Sequence, residues 1–510
     1  MRYNSETQNL GFCEKNPDLT TEYPLEAEIS LPDYCPEIKR ILRCNVRTDI
    51  LSVQNISGRV NVQGNADITV IYIGDNDKIS AYQQVTPIQK TFDSDKIEDG
   101  SSVVSKIITD YVNCRAVNPR RLDVKAMMTV IIRSYSRRDE KLLTGLSDCG
   151  IRTLCDEYHF SDLKCIKEKA FNLTEVLELP SDKPVIGRVI NSCANIIVSE
   201  KKIINNKMLV KGDCYLKIHY LSENDSTVEC AEHSIPISQI IEADGITEDC
   251  NTLLNLNVTA CESVSKVDSS GEMKLIDINV RVSANIFAFI NTKVSLISDA
   301  YSTQYNSRNS YKSIELISEN TDFDTSFTNK IVLESIGVSI EQICSVWCSD
   351  VKSDYILKNG KCCLVGTYQV TVIFKDAEKQ FGIISKPVDF ELAVDLKNPS
   401  ERINCYYSLQ ITGSACSLSG ESKIELKTEF RANGKVLSEK IVKYLCDTEL
   451  SEISSDKRKN CALTIYFCDK NEKVWNIAKK YKTTVDAILS ENNLDSDIIK
   501  EKKTLLIPGV

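Results

Sequence analysis

An isoleucine, a branched residue three positions later, a glycine twenty-three beyond it and an aromatic eight further on recur three times in this chain. The first set is Ile38, Ile41, Gly64 and Tyr72; the second is Ile186, Val189, Gly212 and Tyr220; the third is Ile340, Ile343, Gly366 and Phe374. The offset is 148 residues and then 154, and a proline follows each set at Pro87, Pro236 and Pro387. Solenoid units run roughly 20–50 residues, so a period this long is a whole domain in three tandem copies. Repetition of that kind suits a scaffold that presents surfaces better than a single catalytic cleft.

The 510 residues leave room for about three to four domains. With 42% hydrophobic and 26% charged residues the composition is that of soluble globular domains, and each copy is long enough to bury its own core. A formal net charge of −10, spread along the chain, argues against nucleic acid as the main partner, because phosphate binding needs clustered Lys and Arg. Met1–Leu10 has no apolar run behind a basic start, and no stretch reaches the roughly 18 apolar residues of a membrane span. The expectation is a protein that stays in the cytoplasm that made it. The 21 Cys are odd in number and irregular in spacing, which in a reducing compartment means mostly free, buried thiols packed as small hydrophobes.

Each copy opens on an i, i+3, i+4 apolar triplet, Ile38/Ile41/Leu42, Ile186/Val189/Ile190 and Ile340/Ile343/Cys344, which predicts a short helix. Pro36 and Glu37 suit the first turn of the first one. Alternating strands follow around Val60–Val70, Leu209–Tyr220 and Leu364–Phe374, with the repeated glycine inside each. A glycine there marks a bulge or a close backbone approach. A second matching strand recurs at Leu122–Lys125, Ile276–Asn279 and Ile424–Lys427, as if each domain held two related sheet halves. Polar turns such as Gly74–Asp77 and Ser222–Asp225 separate the strands and predict β-sandwich-like domains. The expected fold class is mainly β: three tandem β-rich, sandwich-like repeats and a small βααβ domain, divided as 1–160, 161–310, 311–450 and 461–510. Ser302–Asn309 and Ser451–Asn460 are polar and linker-like.

In the last 48 residues Leu463–Phe467 predicts a strand and Val474, Ile477, Ala478 and Tyr481 one face of a helix. Thr483 followed by Asp486 predicts a capped second helix with Val485, Ile488 and Leu489 inward, and Thr504–Ile507 a closing strand. This tail resembles a LysM domain, through Trp475–Tyr481, Thr484–Leu489, Asn492–Leu494 and Leu505–Pro508. LysM domains that bind peptidoglycan or chitin usually carry a Gly-Asp-Thr-type loop before the Trp, where this chain has Asn471–Val474. Glu501–Lys503 replaces their usual Pro-Gly-Gln. Both departures fall on the sugar-binding face, so they bear on glycan binding rather than on the fold.

The segment Leu31–Leu42 is similar to the start of a SPOCS domain, a domain found in tandem in sporulating Firmicutes. Three such copies followed by a LysM resemble the SipL-like spore-coat morphogenetic proteins. The resemblance implies a non-enzymatic scaffold of the mother-cell cytoplasm that binds the coat morphogenetic ATPase through its LysM and tethers the coat at the forespore surface. The alternative is a LysM that anchors the chain to cortex or wall peptidoglycan. The loops that form the groove in relatives map to Asn471, Glu472, Lys473 and Val474 and to Asn492, Asn493 and Leu494, the expected partner-binding residues. Tyr466, Tyr481 and Ile488 are further candidates, each also with a place in the core; Trp475 is expected mainly to pack.

No H-E-x-x-H, G-x-S-x-G or phosphate-loop motif occurs, and Gly360–Lys361 lacks the upstream glycine of the last. His159, His219 and His233 are the only histidines; His219, within a strand, is expected to pack or face solvent. Cys344/Cys348 and Cys362–Cys363 are the close thiols, without further ligands at metal spacing. Asp33 and Glu37 could act as an acid–base pair, yet turn and helix-start roles already account for them. No catalytic residue, cofactor or metal is expected, and an enzymatic repeat using paired carboxylates stands as the third reading.

Overall fold

The chain forms long antiparallel ladders, because its apolar residues alternate over runs far longer than the strands legible in the sequence. A computed structural model describes residues 3–94, 97–223, 227–334, 338–420, 422–452 and 462–509. In the first repeat β1 (Asn4–Lys15) and β2 (Leu19–Ser30) lie end to end along β7 (Arg121–Ser147), with β6 (Ser102–Asn118) on its other side. A second sheet has the order β3 (Ile38–Ile56), β4 (Arg59–Gly74), β5 (Ile79–Asp93).

The second repeat repeats both sheets. β13 (Leu275–Ser302) runs between β8 (Ile151–Glu178) and β12 (Asn251–Lys266), and β10 (Lys207–Ser222) between β9 (Ile186–Ile204) and β11 (Val228–Glu242). In the third, β19 (Lys423–Ser451) runs between β14 (Asn306–Glu334) and β18 (Ile403–Leu418), and β16 (Lys361–Asp376) between β15 (Ile340–Lys358) and β17 (Phe381–Asp395). β8 and β14 are single strands where the first repeat has two. Pro17 sits at that break, and Asn16 stays buried there by donating to Ser134 Oγ at 3.1 Å and Ser136 Oγ at 2.8 Å.

The three expected opening helices are strands. Ile38, Ile186 and Ile340 each begin the first strand of a ladder, and the register slips by one residue twice within the next five positions in all three copies. Each slip is a β-bulge, which puts two residues opposite one. Two bulges in succession space the core-facing residues by three instead of two, so the pattern imitates a helical turn. The repeated glycine has its expected role at a third slip. A Cβ on Gly64, Gly212 or Gly366 would lie under 3.0 Å from the carbonyl oxygen of Asp49, Ile197 or Lys352. The repeated aromatic closes the other end: the Tyr72 and Tyr220 hydroxyls donate to the carbonyls of Pro36 and Pro184 at 3.1 and 2.9 Å. Hairpins at Ser57–Gly58, Asn205–Asn206 and Asn359–Gly360 all have two residues at positive φ, the turn that matches strand twist.

In every repeat the two sheets share one core, as a sandwich does. Val62, Ile68 and Tyr72 meet Leu122, Met128 and Val130; Val210 and Ile218 meet Ile276 and Val280; Tyr368 and Val372 meet Leu426 and Phe430. The repeats also pack on one another. Ile71, Ile73 and Ile79 join Ile190, Leu221 and Val228 and then Trp347, Ile373 and Phe381 in one cluster drawn from all three. Another joins Leu10 and Leu142, Phe160 and Leu296, and Ile314 and Tyr444. Burying each such side chain contributes about 1.5–3 kcal/mol.

The divisions expected at 160/161 and 310/311 fall inside β8 and β14. Ser302–Asn309 is no linker, since β13 ends at Ser302 and β14 starts at Asn306; residues 453–460 of the other linker, and 224 and 225 of the second expected turn, lie outside the described residues. The described Cys are thiols rather than disulfides, eight of them buried, most of the others half-buried, and Cys155 exposed. At the C-terminus β20 (Leu463–Cys468), α1 (Val474–Tyr481), α2 (Val485–Glu491) and β21 (Lys503–Pro508) form the expected βααβ unit. The cap of α2 is Thr484, which accepts from Ala487 N at 3.1 Å, one residue later than expected; Thr483 is buried instead.

His219 stands where the other copies have Ile71 and Ile373, in the seam between repeats. It is 2% exposed, its Nδ1 lies 2.6 Å from Ser345 Oγ, and its ring packs 5.1 Å from Trp347. Burial, then the charge of Lys217, push its pKa down to about 4. A histidine unfolded near 6.5 therefore contributes stability above that pH that is lost as pH falls toward 4, roughly 3 kcal/mol in all. His219→Ile should remove that slope: its stability relative to the parent, measured by urea unfolding, should rise between pH 7 and 4, and a flat difference would refute the assignment. Gly366→Ala should cost about 1–3 kcal/mol through overpacking, whereas Gly413→Ala, whose Cβ has no neighbour nearer than 3.3 Å, should cost less.

Candidate partner-binding face of the C-terminal domain

The small domain is built around α1, whose Val474, Ile477 and Ala478 are buried against Ile488, Leu505 and Ile507. The seven expected partner-binding residues divide by role. Val474 is wholly buried, and Leu494 packs at the edge of the same core. Asn492 pins α2 to β21: its Nδ2 donates to the carbonyls of Ile488 and Leu506 at 2.9 and 2.7 Å, and its Oδ1 accepts from Leu506 N at 2.7 Å. Glu472 braces its own turn, accepting from Tyr466 OH at 2.7 Å and Asp469 N at 3.2 Å. That hydrogen bond, then burial, pushes the Tyr466 phenol up to about 12. Asn471, Lys473 and Asn493 keep exposed side chains. The backbone of residues 471–474 pairs with 497–499, so the first loop abuts the segment that follows Asn492–Leu494. Tyr466 and Tyr481 pack edge to face at 5.6 Å, and Ile488 is buried.

Trp475 packs, but against the second repeat as well as its own domain. Its Nε1 donates to Asp299 Oδ2 at 2.9 Å, its ring meets Tyr301 edge to face at 4.9 Å, and the Tyr301 hydroxyl donates to the Thr483 carbonyl at 2.7 Å. Lys479 Nζ lies 2.7 Å from both Asp299 oxygens, and Lys482 Nζ donates to Tyr305 O at 3.0 Å and Asn306 Oδ1 at 2.6 Å. A bulge between Ile297 and Asp299 in β13 turns this carboxylate toward the small domain. The α1 side is thus covered by the chain's own β13–β14 corner.

The opposite side is left bare by the described residues. Leu463, Ile465 and Phe467 alternate along the outer face of β20 and are 49%, 63% and 78% exposed, with Leu506 of β21 opposite Ile465. The neighbouring turns carry exposed charges of both signs, with Asp469 and Lys502 paired at 2.9 Å. The sequence carried a signal for it: Leu463–Cys468 has apolar residues on both faces, and a two-stranded sheet covers only one.

The other chemistry considered is dispersed. Asp33 and Glu37 both approach Arg120, at 4.0 and 3.1 Å, as turn supports. Lys361 follows a hairpin turn and pairs with Asp395 at 2.8 Å. His159 is exposed and His233 half-buried. Cys348 lies 3.6 Å from Thr428 Oγ1. No group of three or more metal-ligating side chains is gathered among the described residues, and no described helix is long and apolar enough to cross a membrane.

Burial acts to raise the pKa of Asp299, but the hydrogen bonds from Lys479, Trp475 and Tyr311 outweigh it and hold the carboxyl below its ordinary range. A depressed carboxylate contributes stability above its unfolded pKa of about 4 that is lost as pH falls through the folded value. In a Trp347→Phe background, which leaves Trp475 as the one tryptophan, emission should shift to the red as pH drops below about 4. Asp299→Ala should give the same shift at neutral pH and loosen the contact by about 1–3 kcal/mol; an unchanged spectrum would contradict the docking.

Residues 37–117 and 185–265 match the family model described as SipL, SPOCS domain, and residues 470–508 match the LysM domain. The two SPOCS matches span β3–β6 and β9–β12, and the same ladder register carries the third copy through β15–β18. No curated protein and no solved structure gives a match. SPOCS and LysM are non-catalytic domain families, and together they make a sporulation-related binding scaffold. The chain carries tandem SPOCS domains and a C-terminal LysM domain, the domain set of a SipL-like protein.

Proposed function

We propose that this protein is a non-enzymatic scaffold of spore coat assembly, working in the mother-cell cytoplasm at the forespore surface, whose LysM domain docks the coat morphogenetic ATPase. We assign the three repeats to residues 3–147, 151–302 and 306–451, divided at the short turns that separate their strands. The observation that carries the reading is the bare apolar strip of Leu463, Ile465 and Phe467. A glycan site would be a polar groove with stacking aromatics, whereas an apolar centre with a charged rim is the anatomy of a protein interface. Asn471, Lys473 and Asn493 supply the polar part of the face from the adjoining loops.

The LysM match itself favours a second reading, an anchor on cortex or wall peptidoglycan. The two are separated by one set of variants. Phe467→Asp with Ile465→Asp should weaken binding of the ATPase by roughly 30-fold or more, the scale of an interface hot spot, while leaving Trp475 emission unchanged. Deletion of residues 461–510 should abolish it. Full ATPase binding by the truncated chain would sink the proposal, and co-sedimentation of the full chain with purified peptidoglycan, lost in that truncation, would support the anchor.

A further inference from the structure

Two of the places where the three repeats meet are filled with apolar side chains. A third is a cavity of about 320 Å³, lined from β6 and β7 of the first repeat, β12 and β13 of the second, and β15 and β18 of the third. Its wall includes one quasi-equivalent position from each copy. Lys106 pairs with Ile131, Asn255 with Asn285 and Ser408 with Asn433, each three residues before the bulge of its strand. All three are polar, at a spot where an apolar residue would extend the neighbouring packed seam. The copies also differ there: the cations of the wall, Lys15, Lys106 and Arg133, all come from the first, the second has Asn255 and Phe287, and the third brings a carboxylate, Asp354.

One of these charges, that of Lys106, is not used up internally. Arg133 pairs with Asp18 at 3.1 Å, while Lys106 has no ion pair or hydrogen bond among the described residues. Crowding by protein, then the nearby Arg133, lower the Lys106 pKa, with Asp354 opposing them. Three further polar atoms of the wall, Ser105 Oγ, Asn255 Oδ1 and Asn285 Oδ1, lack partners among the described residues, and Ser105 is 92% buried. Leaving such groups unsatisfied costs about 1–3 kcal/mol each. Tyr135, Tyr355 and Phe287 add aromatic surface to the same wall.

We propose that this cavity binds a small hydroxylated organic anion. Its acidic group lies against Lys106 and Arg133, its hydroxyls donate to Asn255 Oδ1 and Asn285 Oδ1 once these shielded amides turn toward the cavity, and its carbon skeleton rests on the aromatic wall. The volume is at the lower end of ordinary ligand sites, roughly 300–1,000 Å³, and suits a molecule of monosaccharide size. Because every repeat contributes, the ligand would join the three repeats and stabilise their contact.

The test uses the full chain and four probes in thermal unfolding and calorimetric titration: gluconate, glucose 6-phosphate, glycerol and inorganic phosphate. Gluconate or glucose 6-phosphate should bind saturably at millimolar concentration or below and raise the melting temperature. Glycerol, without charge, and phosphate, without a carbon skeleton, should bind at least tenfold more weakly. Lys106→Met should weaken the organic anion at least tenfold, and the control Lys330→Met, at a lysine outside the cavity wall, should not. Phosphate binding as well as the organic anions, binding that survives in Lys106→Met, or no saturable heat with any probe would each overturn the proposal. If Lys106→Met lowers expression, Asn285→Leu, which removes a hydroxyl acceptor and keeps the charge, provides the same comparison.

Discussion

Each repeat depends on the backbone contact between a bulged outer strand and a glycine in the strand beside it. β3, β9 and β15 each have 19 residues but pair with strands of 16. The excess is absorbed in bulges, which add twist, and the twisted strand can close on its neighbour only where Gly64, Gly212 or Gly366 leaves room for a carbonyl. That closure places Ile38 and Tyr72, and their counterparts, in the sandwich core. It also leaves Ile71, Leu221 and Ile373 pointing away from that core, toward the other repeats.

The second apolar face has a consequence for assembly. A strand apolar on both sides is stable only if both sides are covered, so one repeat alone would expose a surface that its sister copies hide. Three copies on one chain make the contact intramolecular, and they then diverge at equivalent positions. The second copy has His219 where the others have Ile71 and Ile373, the third has Phe374 in place of Tyr72 and Tyr220, and the first has Lys106 where the others have Asn255 and Ser408. Each substitution is specific to one copy, which identical chains assembled around an axis could not achieve.

The repeat period, the mainly β class, the glycine at a close approach and the βααβ tail were all legible in the sequence, because each rests on local spacing. The opening helices were misjudged for a physical reason: paired bulges at Ile38–Arg43 give the same three-residue spacing as a helical turn. The divisions expected at 160 and 310 fall where β8 and β14 run on through polar stretches, because one face of a long strand is polar without ending it. The contacts between repeats were hidden for a different reason. Val70–Ile73 is apolar without interruption, and such a run signals two buried faces without saying what covers the second. In the tail, four of the seven residues expected to bind a partner, Glu472, Val474, Asn492 and Leu494, have packing or bracing roles, which depend on contacts that the sequence does not spell out, and the exposed apolar strip on β20 was not among them.

The Asp299 contact decides which side of the LysM domain is available. Trp475, Lys479 and Tyr301 commit the α1 side to the chain's own second repeat, so any partner must approach from another direction. The strand side remains, and there Ile465 and Phe467 are exposed while Trp475 is not. An aromatic held by its own chain loses no further freedom on binding, but it also contributes no new buried area. On the proposed reading, the affinity of this domain for a partner comes from β20 and the turns beside it, with Trp475 acting as the pivot that fixes how that strip is presented relative to the three repeats.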